Sequence, residues 1–140
     1  MTDKPAKEIT VVSEVMTRDI IMIEATATVQ EAVHLMHQHR TSSVIVNRRD
    51  GADEYGILVV SDIAAKVLGQ NLSPERVNVY EVMAKPVLTV PAEMNIVYAT
   101  RLLSRFQLSR AMVIDHERNP IGIVTLRDIV FRALDNDEGV

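Results

Sequence analysis

The chain contains no cysteine. Disulfide frameworks, thiolate nucleophiles and cysteine-ligated zinc are therefore excluded. Basic residues are not in excess either: 15 Lys and Arg stand against 19 Asp and Glu, a formal net charge of -4. A nucleic-acid backbone as main partner calls for the opposite balance, so no nucleic acid is expected. No apolar run approaches the roughly 18 residues of a membrane-spanning helix, so no membrane is expected. The start, Met1 to Glu8, is polar and mixed in charge. It has no apolar segment of the kind a secretory signal requires, and the cytoplasm is the expected compartment. Catalytic signatures are missing as well. There is no Gly-rich phosphate loop ending in Lys and Ser/Thr. Ser13, Ser42, Ser43 and Ser109 lie in no Gly-x-Ser-x-Gly elbow. Tyr55, Tyr80 and Tyr98 show no pattern of a stacking platform for single strands. With no residue set for bond-breaking chemistry, a non-enzyme is expected.

What is present is a 140-residue chain, 47% apolar and 24% charged, the balance of a folded globular protein. It is built as a repeat. Val12-Ser-Glu-Val-Met-Thr17 returns as Val79-Tyr-Glu-Val-Met-Ala84, 67 positions on. Thr28/Asn95 and Met36/Leu103 keep that offset. It reads as 68 for Val44/Met112, and as 66 for Gly56/Gly122, Asp62/Asp128 and Leu68/Leu134. The expected organisation is an N-terminal arm over 1–11, repeat 1 over 12–68, a linker over 69–78, repeat 2 over 79–134 and an acidic, solvated tail over 135–140.

Each repeat reads as strand, helix, strand, strand, helix. An extended stretch comes first, Ile20 to Ile23 or Val87 to Val90. An amphipathic helix follows. Its apolar face is Val29, Ala32, Val33 and Met36 in repeat 1, and Ile96, Ala99, Leu103 and Phe106 in repeat 2. Thr28 with Glu31 has capping-box spacing, and Asn95 can cap the second copy. Two strands follow, Val44 to Val46 with Gly56 to Val60, and Met112 to Ile114 with Gly122 to Val124. A second helix closes each unit, Asp62 to Leu68 or Asp128 to Leu134. One such unit is too small to bury its sheet face alone. The expected fold is mixed α/β (α+β), with two β-α-β-β-α repeats packed about a pseudo-twofold axis and a pocket in the cleft between them.

His34 and His37 lie three apart on the first helix, away from its apolar face, with His39 close by. Two imidazoles can share a metal ion, but beyond Glu31 one turn earlier no third ligand is at hand. They read as exposed helix histidines, and no metal is expected. Met16, Met22, Met36, Met83, Met94 and Met112 read as core or groove fillers.

Several features recur in order: Glu-Val-Met before the first strand (twice), a helix with an alanine one turn in, Arg110-Ala-Met-Val-Ile-Asp115, and Gly122-Ile-Val-Thr-Leu-Arg-Asp128 opening the second helix. Together they resemble the CBS-domain family in its paired arrangement, the Bateman module, over nearly all of residues 12–134. The resemblance implies a regulatory module that binds an adenosine-containing ligand (AMP, ADP or ATP, alternatively S-adenosylmethionine or an NAD-type ligand) in the cleft between repeats. It implies a homodimer, an unidentified regulated protein that reads a conformational shift, and no catalytic cofactor. Rival readings are a structural dimerisation module with vestigial pockets and a small nucleotide hydrolase.

The chemistry of Thr125-Leu-Arg-Asp128 suits such a ligand. First-turn amides of a helix attract anions. A threonine hydroxyl can bond a phosphate oxygen, Arg127 can add charge, and an ionised Asp128 can accept two bonds from vicinal ribose hydroxyls. The same spacing is equally an ordinary helix start. Repeat 1 departs from the pattern: Val59 stands in the Thr position of Gly56-Ile-Leu-Val-Val-Ser-Asp62, with Ser61 as a partial substitute or a cap. The resemblance implies that each pocket takes its aspartate from one repeat and its adenine wall from the other. The stronger site then comprises Thr125, Arg127 and Asp128 with Thr17, Ile20, Ile21 and Met22, rimmed by Arg40, Thr41 and Ser42. The weaker site comprises Asp62 with Ala84, Lys85, Val87, Leu88 and Arg110. Plain core packing is the alternative for Ile20, Ile21, Val87 and Leu88, and a solvated charge the alternative for Arg110.

Overall fold

The computed structural model describes residues 10–135; the arm before them and the acidic tail after Asp135 lie outside the described residues. The order is β1 (Met22–Ile23), α1 (Val29–His39), β2 (Ser43–Val46), β3 (Gly56–Val59), α2 (Val60–Ile63, continued as a wider-wound turn over Ala64–Leu68), β4 (Thr89–Pro91), α3 (Ile96–Arg105), β5 (Arg110–Ile114), β6 (Pro120–Thr125) and α4 (Leu126–Leu134). The fold is mixed α/β. It has two three-stranded sheets, β1-β2-β3 and β4-β5-β6, each with one parallel and one antiparallel pair. A parallel pair needs a crossover, which α1 and α3 supply. The opening strands are shorter than the apolar runs suggested, because only Met22–Ile23 and Thr89–Pro91 meet a neighbour in register.

Both first helices start where their side chains supply a cap. Thr28 accepts from Glu31 N at 3.1 Å while Glu31 accepts from Thr28 N at 2.8 Å. Asn95 accepts from Val97 N at 2.8 Å. Val29, Ala32 and Met36 are buried, as are Ile96, Ala99 and Leu103. Val33 and Phe106, expected on the same faces, are 40% and 57% exposed. Val33 sits at the edge of its stripe. Phe106 falls past the end of α3, where Gln107 turns into the left-handed region and helical phase is lost.

The expected offset of 68 at the middle strand is corrected by the register. Ile45 pairs with Met22 and Ile57, and Met112 pairs with Thr89 and Ile123, so Ile45 and Met112 are equivalent and the offset there is still 67. A slip of one would turn Val44 and Ala111, both in the core, to the opposite face. The length change lies wholly in the following turn. Val46 faces Gly56 in one hairpin, whereas Val113 faces Gly122 in the other, with an irregularity between Val113 and Ile114.

The compact units cut across the repeats. One is Ile20–Val87; the other joins the N-terminal stretch ending at Asp19 to the segment from Leu88 onward. The recurring Val-x-Glu-Val-Met motif explains this exchange. Each glutamate closes a short helical turn by accepting from a backbone N–H three residues earlier, Val11 N to Glu14 and Asn78 N to Glu81, both at 2.9 Å. The apolar residues then enter the core of the unit to which the turn docks. Val12, Val15 and Met16 pack with Val90, Ala99, Leu103 and Val124; Val79 and Val82 pack with Val29, Val44 and Leu58. Beyond each motif the backbone bridges a hairpin strand, Thr17 to Ile123 and Ala84 to Ile57. That approach requires glycine. A Cβ on Gly122 would lie 2.5 Å from Met16 Sδ and 2.7 Å from the Thr17 carbonyl oxygen, and one on Gly56 3.0 Å from Met83 Sδ.

Candidate functional site

In the unit that contains β6, four of the expected site residues gather toward the end of that strand. Thr17 exchanges backbone bonds with Ile123, both 2.9 Å. Two residues on, Thr125 ends β6 and caps α4, its hydroxyl oxygen accepting from Asp128 N at 3.0 Å. Asp128 is half-buried in the first turn. Arg110 lies directly opposite Thr125 in the β5–β6 ladder. Burial pushes the Arg110 guanidinium down from its ordinary pKa, and the nearby Asp128 charge works in the other direction. A cation and an anion thus stand together at the mouth of α4 under partial desolvation, where their fields act strongly.

The helix mouth itself is less open to anions than the motif suggested. Leu126 N donates to Ser109 O at 2.9 Å, and Asp128 N is taken by Thr125. Arg127 is exposed and its guanidinium lies 4.8 Å from the centre of the Phe131 ring, one turn along α4. At the mouth stand the Thr125 hydroxyl, the Asp128 carboxylate and the Arg110 guanidinium. Among these, Arg110 had been expected in the other set.

The remaining residues of the stronger set lie in the unit Ile20–Val87. Ile20 and Ile21 precede β1, and Ile21 O accepts from Ile45 N at 2.9 Å; Met22 is in β1. Arg40 ends α1 in the left-handed region, φ 55°. Thr41 Oγ1 donates to Ser43 O at 3.2 Å, and Ser42 O accepts from Val60 N at 3.0 Å. This triplet therefore stands at the mouth of α2, as Ser109 and Arg110 stand at the mouth of α4. There Val59 provides no side-chain cap, Ser61 lies inside the helix, and Asp62 is half-buried in the first turn.

Of the weaker set, Asp62, Ala84, Lys85 and Val87 share the unit Ile20–Val87, and Leu88 and Arg110 belong to the other. Ala84 bridges Ile57, and Val87 is buried with its N–H on Tyr55 O at 2.8 Å, a packing role. Lys85 is exposed along its backbone flank, but its ammonium is engaged: Nζ lies 2.8 Å from Asp53. Asp53 also accepts from Arg49 N at 2.9 Å and Arg49 Nε at 3.1 Å. The Lys85 and Arg49 donors hold the Asp53 carboxyl well below the usual carboxylate range. Sequence reasoning missed Asp53, which sits in a polar turn; its only signal is the density of charge in Arg48-Arg-Asp-Gly-Ala-Asp-Glu54.

Among the described residues no group of three His, Asp or Glu side chains is placed to hold a metal ion. Nor is any helix there long and apolar enough to cross a membrane. Each unit also carries an apolar groove between its two helices. One, of about 360 Å³, runs between α1 and α2 past Val33, Val60 and Leu68; the other, of about 340 Å³, runs between α3 and α4 past Val97, Val130 and Leu134.

A family model described as the CBS domain matches residues 12–69 and 79–135. An uncharacterized protein of Methanopyrus kandleri is 35% identical over 120 residues, 85% of this chain and 60% of that protein, so the chain spans less than two thirds of this relative. A hexameric CBS-CP12 protein from bloom-forming cyanobacteria superposes with a TM-score of 0.86 at 35% identity, over 90% of this chain and 72% of the other. The CBS domain of a bacterial CNNM/CorC family Mg2+ transporter, solved in complex with ATP, superposes with a TM-score of 0.72 at 27% identity, over 87% and 85% of the two chains.

Proposed function

The chain belongs to the CBS-domain family, and from that premise we propose that it is a regulatory module that senses an adenine nucleotide. The observation that carries this reading is the grouping of Thr125, Asp128 and Arg110 at the mouth of α4. In this reading Asp128 accepts two hydrogen bonds from the ribose diol. Arg110 and the Thr125 hydroxyl proton meet a phosphate. Because two first-turn amides are already bonded, the charge comes from Arg110 more than from the helix end. The ATP complex of the transporter domain supports an adenine nucleotide as the ligand class.

Signalling follows from binding differences. A nucleotide shifts the module only by its differential affinity for the module's shapes, and a partner protein reads the shift. The active species in this reading is a homodimer, and the exposed Val33, Leu68, Val130 and Leu134 beside the two grooves supply apolar surface for association. The uncapped mouth of α2 favours a second reading for that half, a vestigial pocket kept for structure.

The test is a thermal-shift panel with AMP, ADP, ATP, S-adenosylmethionine and NAD on wild type and Asp128→Ala. A ligand of the native state raises stability by mass action. Asp128→Ala should weaken the best ligand at least about tenfold, from ~1.5–3 kcal/mol for charge-assisted bonds. Unchanged affinity removes Asp128 from the site, and a preference for S-adenosylmethionine that phosphate does not compete for moves the ligand class.

A further inference from the structure

Asp53 belongs to no motif of the sequence, yet it holds two cations at once. Its side chain is 9% exposed; that of Lys85 is 28% exposed and that of Arg49 79%. Lys85 is the better covered of the two cations. It stands one residue beyond Ala84, which the β3 bridge pins to Ile57 through paired bonds of 2.9 Å. The contact therefore starts from a backbone segment that is already fixed at Ala84, and the freedom lost in forming it is that of the side chains.

Among the described residues the other unit lacks this arrangement. Counted back from the glycine of each hairpin, Asp53 precedes Gly56 by three positions, and Asn119 precedes Gly122 by three. The repeat places Arg18 where Lys85 stands, following Thr17 as Lys85 follows Ala84. Arg18 is exposed and makes no ion pair among the described residues. One half of the chain thus ties Lys85 to an internal carboxylate that Arg49 shares, and the other carries an exposed arginine and, at the position equivalent to Asp53, an uncharged amide.

We propose that Asp53 is an internal counter-anion that sets the charge preference of the half-site containing Lys85. A ligand phosphate gains Lys85 only by displacing a carboxylate, an exchange of one anion for another with small net gain. At Arg18 the same phosphate gains a cation outright. The half with Lys85 therefore favours adenosine or its monophosphate, and the half with Arg18 favours the polyphosphates. This rests on the nucleotide reading above and adds the specificity of its two halves.

Calorimetry on the full chain with adenosine, AMP and ATP decides it. Asp53→Asn releases Lys85 and should tighten ATP relative to adenosine by about tenfold. Lys85→Gln in the otherwise wild-type chain should leave that ratio within about twofold, while Arg18→Gln should weaken ATP by about tenfold and leave adenosine unchanged. If Asp53→Asn fails to fold, the contrast between Lys85→Gln and Arg18→Gln still decides. Equal losses of ATP affinity in those two variants, or an unchanged ratio in Asp53→Asn, overturn the proposal and leave nucleotide binding standing. A wild-type chain that binds none of the three ligands overturns the nucleotide reading and this one together.

Discussion

Replacing Gly122 by alanine tests how the N-terminal stretch is held. The new Cβ would lie 2.5 Å from Met16 Sδ and 2.7 Å from Thr17 O. The sulfur ends a flexible side chain and can move. The carbonyl cannot move freely, because it accepts from Ile123 N at 2.9 Å and Thr17 N bonds Ile123 O in return. Overpacking of this kind costs about 1–3 kcal/mol, and opening a bridge adds about 1 kcal/mol per lost bond. Alanine regains ~0.4–1 kcal/mol through the unfolded chain. The net expectation is a loss of about 2–3 kcal/mol. Gly56→Ala is the internal control, since its Cβ would meet Met83 Sδ at 3.0 Å and Ala84 O at 3.1 Å, contacts that a few tenths of an ångström relieve; it should cost about 1 kcal/mol or less. Urea denaturation followed by circular dichroism gives the two values, and limited proteolysis shows which unit opens. Met16→Ala added to Gly122→Ala should rescue only part of the loss, because the carbonyl contact persists. A Gly122→Ala chain as stable as Gly56→Ala would refute the close approach, and with it the docking of the Thr17 segment onto β6.

Three further outcomes are expected. Thr125→Val should destabilise the protein by about 1 kcal/mol through loss of the α4 cap, and Val59→Thr should recover a few tenths to ~1 kcal/mol at α2; denaturant midpoints check both. The Asp53 carboxyl is held below its ordinary pKa by Lys85 and Arg49. Its contribution is therefore fully present above the unfolded carboxylate value, about 3.9, and is lost as pH falls toward the lower folded value. The melting-temperature gap between wild type and Asp53→Asn should stay constant from neutrality to about pH 5 and narrow below about pH 4. Light scattering should give about twice the 15.6 kDa chain mass, and a monomer would remove the homodimer from the proposed function.

How much was legible in the sequence depends on the range of the interaction. The caps at Thr28 and Asn95 could be read because they join residues two or three apart. The buried stripes of α1 and α3 followed from helical periodicity except at Val33, on the edge of its stripe, and at Phe106, which leaves the helix. Periodicity alone could not place the single-residue length change. The 68-residue offset put a change before the middle strand of the pattern, and only cross-strand pairing of Ile45 and Met112 shows that the change lies in the turn after it. The Thr125-x-x-Asp128 cap was visible as spacing. The arrival of Arg110 opposite Thr125 was not, because a ladder partner is set by register across a hairpin and carries no signal in local composition.

The sequence by itself determined the repeat, the order of elements in each copy, the two helix mouths and the difference between Thr125 and Val59 at them. These follow from periodicity, capping chemistry and self-similarity, all of which act over a few residues or are copied along the chain. Only the tertiary structure decided that Val12, Val15 and Met16 complete the core of the unit built from the other repeat, that Arg110 stands with Asp128, and that Asp53 captures Lys85. The reason is physical: burial of an apolar turn and closure of an ion pair reward proximity in space, and residues 32 positions apart or further meet only once the sheets have set their register.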